Sequence, residues 1–347
     1  MTPSTPGRSR RHVLASLAAL GVVASAGPAA AARTTIPARP RRPRVVRVAR
    51  AGERVVDLTL DSPALGARGA VRLLTPRGWY RRRHLGARWP TLYLLPGGDG
   101  DHLSWTEHHG IHHLADLRDT LVVMPDMPLY GFSTDWWNHG AGGPPQVATY
   151  HLEEVMPLME RHFGAGRRRA VAGESQGGFG ALSYSARRPG LFRAAASYSG
   201  YVHPLQHPHT VRAGMTYLGM DWLALWGHPV RQRAIWEAHD PVHLAHRLRG
   251  LPVHLSCGDG RLGPLDPPGT EPDPDIPGLE DPDNPFPEDV YSPTEAIMRE
   301  ENETLAAHLE RAGARLTTHF HPGTHDPAYW SREFRRSLPT LLAALHD

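Results

Sequence analysis

Short, mostly apolar runs recur along the chain, and few of them alternate with polar positions. Such runs are typical of strands buried on both faces of a parallel sheet. Ahead of them, two β-like runs separated by turn residues predict a leading antiparallel pair, Val55–Leu60 and Ala70–Thr75. The later runs are Thr91–Leu95, Thr120–Met124, Arg169–Ala172, Ala194–Tyr198, Pro252–Cys257 and Arg315–Phe320.

Helical patterns lie between these runs, at Ile111–Leu117, Val147–Phe163, Gln176–Arg187, Ala234–Leu248, Thr294–Ala312 and Ala328–Leu345. The alternation predicts an α/β fold, with a mostly parallel central sheet and helices on both faces. In such sheets a site lies beyond the carboxyl ends of the strands. That rule selects four stretches: 96–99, 125–126, the turn at Ser175, and 258–259.

The segment 261–291 interrupts the pattern. It is crowded with Pro and turn residues and carries nine acidic residues between Asp266 and Asp289. A loop of this length is usually a lid or disordered, so we predict an acidic loop outside the core. No D-x-[DN]-x-[DN]-G motif with a closing Glu is present, and we expect no metal there.

The first 32 residues predict export. They contain no acid, and Arg10-Arg11 begins a twin-arginine signature that is followed by an apolar stretch and an A-x-A site at 30–32. We expect a protein that is secreted or associated with the cell wall; a permanent N-terminal anchor is the alternative. Cys257 is the single cysteine, which excludes a disulfide within the chain.

Residues 33–52 predict a basic, Pro-rich linker, and 53–347 a single domain with the acidic loop 261–291 as an excursion. The linker holds seven Arg up to Arg50 and is expected to be a disordered tether, with binding to an acidic wall polymer as the alternative. Three Arg of the export segment account for the formal charge of +3. Net charge therefore indicates no nucleic-acid partner.

A Gly-x-Ser-x-Gly motif at Gly173–Gly177 follows one predicted strand and precedes a helix. This context is typical of a nucleophile elbow, in which Ser175 sits on a sharp turn. A Cβ at Gly173 or Gly177 would crowd that turn. The N–H of Gln176, at the helix start, is placed to donate to an oxyanion.

A serine hydrolase of this architecture requires an acid and then a His after the nucleophile. His325 lies just after the last predicted strand and is the best placed of 23 histidines. Two acids remain open. Asp259 directly follows a strand, whereas Glu295 opens a helix, where a capping box with Ser292 would also explain it.

Four histidines form a cluster at 108, 109, 112 and 113. His109 and His113 are one helical turn apart and could share a metal. A clear third ligand and an H-E-x-x-H pattern are both missing from the sequence around them. We therefore predict a polar helix face near the site entrance and no metal or other cofactor.

From about Leu92 to Leu345 the chain resembles the esterase-D and antigen 85 mycolyltransferase family of α/β-hydrolases. The resemblance implies the α/β-hydrolase fold, a triad of Ser175, Glu295 and His325, and an oxyanion hole formed by the N–H groups of Gly98 and Gln176. It favours Glu295 over Asp259 as the acid. The matching stretches are Tyr93–Gly98, Val122–Pro125, Ser133–Trp137, Gly173–Gly177, Trp236-Glu237, Asp240-Pro241, Cys257–Gly260, Glu295 with Asn302, and Gly323–His325 with Tyr329-Trp330.

The family resemblance implies a small-molecule or lipid ester as substrate and an acyl-serine intermediate that passes to water or an alcohol. Where the mycolyltransferases carry sugar-associated Asp, Arg and Trp residues, this chain has Pro96, Asp99 and Pro327. These departures favour an esterase over an acyltransferase. A non-catalytic, wall-associated binding domain is the second alternative, and the oligomeric state stays open.

Overall fold

The predicted strands form one large mixed sheet. A computed structural model of the chain describes residues 42–128 and 130–346. Within these residues nine strands pair in the order β1-β2-β3-β5-β4-β6-β7-β8-β9. The strands are β1 Arg44–Arg50, β2 Val55–Ser62, β3 Ala67–Leu74, β4 Trp89–Leu95, β5 Leu121–Pro125, β6 Ala165–Glu174, β7 Ala195–Tyr198, β8 Pro252–Cys257 and β9 Arg315–Phe320.

The pairing confirms the mostly parallel sheet and its antiparallel beginning. Strands β1, β2 and β3 run antiparallel to their neighbours, and every pair from β5 to β9 in the sheet order is parallel. From β4 the chain moves to β5 on one side, and then crosses to β6 on the other. The strand order therefore reverses at β4, and the carboxyl ends of β4 and β6, where Leu95 pairs with Gly173, are where a site is expected in such a sheet.

Helices lie between the strands. The α-helices are α1 Trp79–Arg82, α2 Ser104–Glu107, α3 Val147–Thr149, α4 Met156–His162, α5 Gln176–Arg187, α6 Pro208–Tyr217, α7 Trp222–Trp226, α8 Arg233–Glu237, α9 Pro293–Ala312 and α10 Pro327–His346. A π-helical segment, Tyr150–Val155, joins α3 to α4. Short 3-10 turns occupy Arg83–Leu85, Ile111–His113, Ala115–Asp119, Asn138–Gly140 and Ala245–Leu248.

Alternate residues of β4 serve two different cores. Tyr93 and Leu95 pack in the cluster on one face of the sheet, and Leu92 and Leu94 in the cluster on the other face, which also contains Phe334 of α10. All four β4 side chains are at most 3% exposed. Burial on both faces is the physical reason why these strands are continuous apolar runs.

The tether predicted over 33–52 is wrong for residues 44–50, which form the edge strand β1. They pair with β2, and the guanidinium of Arg44 binds Asp61 at 2.7 Å. Val45 packs against the core, so an apolar position among the arginines gives this segment a buried contact. Residues 1–41, with the export signal and the start of the linker, lie outside the described residues.

The helix predicted over Ala234–Leu248 is interrupted. Helix α8 ends at Glu237, and the carboxylate of Asp240 accepts the N–H groups of Val242 (2.9 Å) and His243 (3.1 Å). These bonds compete with the helical pattern, and Pro241 has no N–H to continue it. The helix predicted over Ile111–Leu117 is likewise only two 3-10 turns.

The acidic loop 261–291 forms no helix or strand and packs on the surface of the domain. Leu279 is buried against Ala213 of α6 and Ile297 of α9. Near its start, Asp266 accepts the hydroxyl of Tyr329 at 2.7 Å, which ties the loop to α10. In the part of the chain that the structure describes, none of the helices combines the length and apolar character needed to cross a membrane.

Candidate active site

Ser175 stands at a strained corner between β6 and α5, with φ 52° and ψ −122°. The two motif glycines allow this corner. A Cβ on Gly173 would lie 2.2 Å from the backbone of Gly177, and one on Gly177 would lie 2.4 Å from the carbonyl oxygen of Leu95. Backbone atoms cannot move aside as a flexible side chain could, so both positions require glycine.

Three side chains from separate elements meet at this corner. His325, in the turn between β9 and α10, places Nε2 3.1 Å from the hydroxyl oxygen of Ser175. Its Nδ1 lies 2.5 Å from Oε2 of Glu295, the third residue of α9. The structure thus brings together the serine, histidine and glutamate that the sequence singled out.

Glu295 is completely buried, and several donors hold its carboxylate. Oε1 accepts the N–H of Gly258 and the hydroxyl of Ser199, each at 2.6 Å, and the thiol of Cys257 lies 3.3 Å away. The capping box considered for Ser292 does not form, because the Ser292 hydroxyl bonds instead to Asp273. The side chain of Glu295 faces the histidine, not the helix end.

Asp259, the alternative acid, is turned away from His325. Its Oδ1 accepts the N–H of Arg261 at 3.0 Å and that of Gly323 at 3.3 Å. These contacts stabilise the two loops beside the site. Among the described residues, Glu295 is the acid that contacts His325 Nδ1.

Burial and the attraction between His325 and Glu295 shift the pKa of each group in opposite directions. For His325, burial alone lowers the pKa. The hydrogen bond and charge of Glu295, and to a smaller extent the charges of Asp273 and Asp99, outweigh burial and raise the pKa above its ordinary value. For Glu295, burial raises the pKa, and His325, Ser199 and Gly258 together bring it below its ordinary value. The pair therefore favours an ionised glutamate that stabilises an imidazolium.

The two residues that carry the candidate oxyanion donors, Gly98 and Gln176, lie close together. Gln176 is the first residue of α5, so its N–H has no helical partner. Gly98 follows β4, and a Cβ there would lie 2.8 Å from the Gln176 side chain and 2.9 Å from the Tyr130 ring. The Gln176 side chain is itself oriented by the N–H of Phe132, at 3.2 Å. Glycine at position 98 therefore lets the loop backbone pack this closely against Gln176 and Tyr130.

The family model Esterase matches residues 62–341, which span strands β3 to β9 and all of the site residues above. The chain belongs to the Esterase family. The family predicted from the motifs is confirmed, as is its α/β-hydrolase fold.

A curated relative, Esterase Rv1288 of Mycobacterium tuberculosis, is 29% identical over 228 residues, which are 60% of this chain and 48% of the relative. The chain thus spans about half the length of the curated relatives it matches.

Solved structures of the same fold include Mycobacterium tuberculosis MPT51 (FbpC1), with a TM-score of 0.60 and 21% identity, covering 83% of this chain and 97% of that one. Another is FphF, a fluorophosphonate-binding serine hydrolase of Staphylococcus aureus in a substrate-bound structure. It has a TM-score of 0.61 and 17% identity, covering 84% of this chain and 98% of that one.

The histidine cluster of this esterase-family chain differs from its prediction. His109 is buried, not on a polar face, and its Nε2 contacts Glu174 at 2.5 Å. The one-turn helical spacing considered for His109 and His113 is not present: His113 lies in a 3-10 turn, and its ring packs against that of His112 at an angle of 44°, with ring centres 3.8 Å apart. The helix that would have aligned them is absent.

Sequence reasoning missed Ser199, which supports the acid. Its φ of 47° is rare outside glycine, and its hydroxyl accepts the indole N–H of Trp330 at 3.0 Å while donating to Glu295. Trp330 in turn packs edge-on against His325, with ring centres 4.8 Å apart. A serine directly after β7, at the carboxyl edge of the sheet, was the available signal.

Proposed function

We propose that this chain is an exported serine esterase that hydrolyses carboxylic esters through an acyl-serine intermediate. The observation that carries the proposal is the continuous chain of contacts from the Ser175 hydroxyl through His325 to the buried Glu295. A serine on a strained elbow, a histidine within reach of its hydroxyl and a buried carboxylate on the other ring nitrogen are the parts that acyl transfer requires. Membership of the Esterase family supports the same activity.

In the first half of the reaction, the Ser175 oxygen attacks the ester carbonyl while His325 Nε2 takes its proton. Glu295 stabilises the imidazolium through Nδ1. The negative charge that develops on the carbonyl oxygen faces the N–H groups of Gly98 and Gln176. As the tetrahedral species collapses, the C–O bond to the leaving alcohol breaks and His325 returns the proton to that alcohol.

In the second half, His325 takes a proton from water, and the hydroxide adds to the acyl-serine carbonyl. Collapse breaks the bond to Ser175, which regains its proton, and free acid leaves. An acceptor alcohol in place of water would give acyl transfer, so the same residues serve either outcome.

We infer that water is the main acceptor. Pro96 lacks both a polar side chain and an N–H. Asp99 places a carboxylate directly after the oxyanion loop, and its Oδ1 lies 3.7 Å from where a Gly97 Cβ would be. Pro327 begins α10 where a flat apolar side chain could support a sugar ring. Competing with water at about 55 M requires a positioned acceptor, which these changes disfavour.

The esterase proposal is tested with p-nitrophenyl acetate and a fluorophosphonate probe, using Ser175→Ala as the matched control. We expect turnover and covalent labelling by the wild type, with both absent in the variant. A wild type that neither turns over the ester nor takes the label contradicts the proposal and favours the binding-domain alternative.

The acceptor is tested by product analysis with short and medium acyl esters. We expect free acid to dominate with or without trehalose at millimolar concentration. Acylated trehalose as the dominant product would instead establish the acyltransferase alternative.

Export is a separate part of the proposal and rests on residues 1–32. The pathway reads the twin-arginine pair as an address, not as bulk charge. Changing Arg10 and Arg11 to Lys should leave precursor in the cytoplasm. Normal export of that double variant would indicate an ordinary secretory signal.

A further inference from the structure

A second, buried Glu and His pair lies behind the elbow and takes no part in the triad. Glu174 immediately precedes Ser175, yet its side chain turns inward. Its Oε2 lies 2.5 Å from Nε2 of His109, and the two side chains are 4% and 1% exposed. The contact does not meet the geometry of a hydrogen bond, so it is a close polar contact between the carboxylate and the imidazole.

The other oxygen of Glu174 reaches the oxyanion loop. Oε1 accepts the N–H of Gly97 at 3.4 Å. The loop also packs on the elbow, since a Cβ at Gly97 would lie 3.6 Å from the Ser175 Cβ and 3.8 Å from the Glu174 Cγ. Glu174, the residue before the nucleophile, is therefore hydrogen-bonded to Gly97, the residue before Gly98.

His109 is held from two further sides. Its Nδ1 lies 2.7 Å from the hydroxyl of Ser331 on α10, and its ring packs on Trp105 with ring centres 4.7 Å apart. The Trp105 indole donates to the carbonyl of Leu95, at the end of β4, at 3.1 Å. His109 is thus fixed to α10 and, through Trp105, to the end of β4, where the 96–98 loop begins.

Burial makes this arrangement sensitive to change. A buried carboxylate without a partner is costly, and His109 and the Gly97 N–H are the polar partners that the described residues offer Glu174. The x position of a Gly-x-Ser-x-Gly motif needs no acid for the turn itself, because the glycines and the φ of the serine create it. The acid therefore needs another explanation.

We propose that Glu174 and His109 are positioning residues that hold the 96–98 loop against the elbow, so that the Gly98 N–H is aimed at the developing oxyanion. The inference rests on the proposed esterase function. It predicts an effect on the transition state without an effect on the binding of the planar ester, because the oxyanion exists only after attack.

The test compares variants of graded severity. Glu174→Gln keeps an acceptor for the Gly97 N–H but removes the carboxylate that contacts His109, and we expect about a 10-fold loss in kcat. Glu174→Leu removes both contacts, and its kcat should fall about 100-fold, near the lower end of the loss in kcat seen when an oxyanion-hole donor is deleted. His109→Gln should resemble Glu174→Gln. In each, KM for p-nitrophenyl acetate should change less than about 3-fold.

A transition-state mimic separates positioning from mere stability. A trifluoromethyl ketone forms a tetrahedral oxyanion adduct, and its affinity should fall by the same factor as kcat/KM in every variant. The acid limb of the pH profile should not move, because the His325 and Glu295 contacts are intact. Glu154→Gln is the matched control: Glu154 is also a buried acid, accepting the Ala64 N–H at 2.9 Å, and lies outside the site.

Several results would overturn the inference. One is a wild-type kcat in Glu174→Leu accompanied only by a lower melting temperature. Another is a ketone affinity that stays constant while kcat falls. If Glu174→Leu does not fold, Glu174→Gln and His109→Gln decide between the same outcomes. Absence of turnover and probe labelling in the wild type would instead refute the esterase proposal, and this inference with it.

Discussion

Replacing Glu295 by Gln separates the charge of the triad acid from its shape. The amide oxygen can take the place of Oε1, where the N–H of Gly258 and the hydroxyl of Ser199 donate at 2.6 Å. The amide NH2 then faces His325 Nδ1 and donates to it. This forces the tautomer in which Nε2 carries the proton, and that tautomer cannot accept a proton from Ser175.

These contacts set the expected losses in turnover and in folding stability. In the serine proteases, the corresponding change to an amide costs about 10⁴ in turnover, or about 5.5 kcal/mol of transition-state stabilisation. The cost to folding should be smaller. Two of the donors keep an acceptor and one charge-assisted contact is lost, which gives about 1.5–3 kcal/mol. Glu295→Gln should therefore be folded but almost inactive.

The assay is steady-state hydrolysis of p-nitrophenyl acetate, with thermal unfolding measured on the same samples. Asp259→Asn is the matched control, because an Asn Oδ1 can still accept the N–H groups of Arg261 and Gly323, and activity should change less than about 3-fold. The reasoning is refuted if Glu295→Gln keeps more than about a tenth of the wild-type kcat, or if Asp259→Asn is the inactive variant.

Three further variants test the surroundings of the triad. Ser199→Ala removes one hydrogen bond to the ionised Glu295, worth about 1.5–3 kcal/mol, so kcat should fall about 10-fold or more; an unchanged kcat would contradict this role. Asp99→Asn removes a negative charge that raises the pKa of His325, so the acid limb of the kcat/KM profile should move to lower pH. An acid limb that stays in place or moves to higher pH would contradict this expectation. Gly173→Ala places a Cβ 2.2 Å from elbow backbone, and the resulting displacement should cost at least about 100-fold in kcat, or prevent folding; near-normal activity would show that the elbow can relax.

Much of the fold could be predicted because its signals are local. Strands β4, β5, β7 and β8 are buried on both faces, so they are short apolar runs. Helices α5, α9 and α10 begin and end within one residue of their predicted limits. Prediction failed where a tertiary contact overrides the pattern. Strand β1 exists because β2 offers a partner, and the side chain of Asp240 ends a helical pattern by bonding to the next turn.

The sequence by itself singled out the candidate nucleophile, the candidate base and the order of the elements, because a tight turn demands glycine at two spaced positions and a triad histidine is expected after the last strand. Only the tertiary structure showed which of the two acids contacts His325. Glu295 and Asp259 both stand near the carboxyl edge of the sheet, and only the direction of each side chain distinguishes them. It also created the contact of His109 with Glu174, which lies 65 residues further along the chain and meets it only when β4 and β6 lie side by side. Contacts between distant segments depend on packing, which no local pattern of residues records.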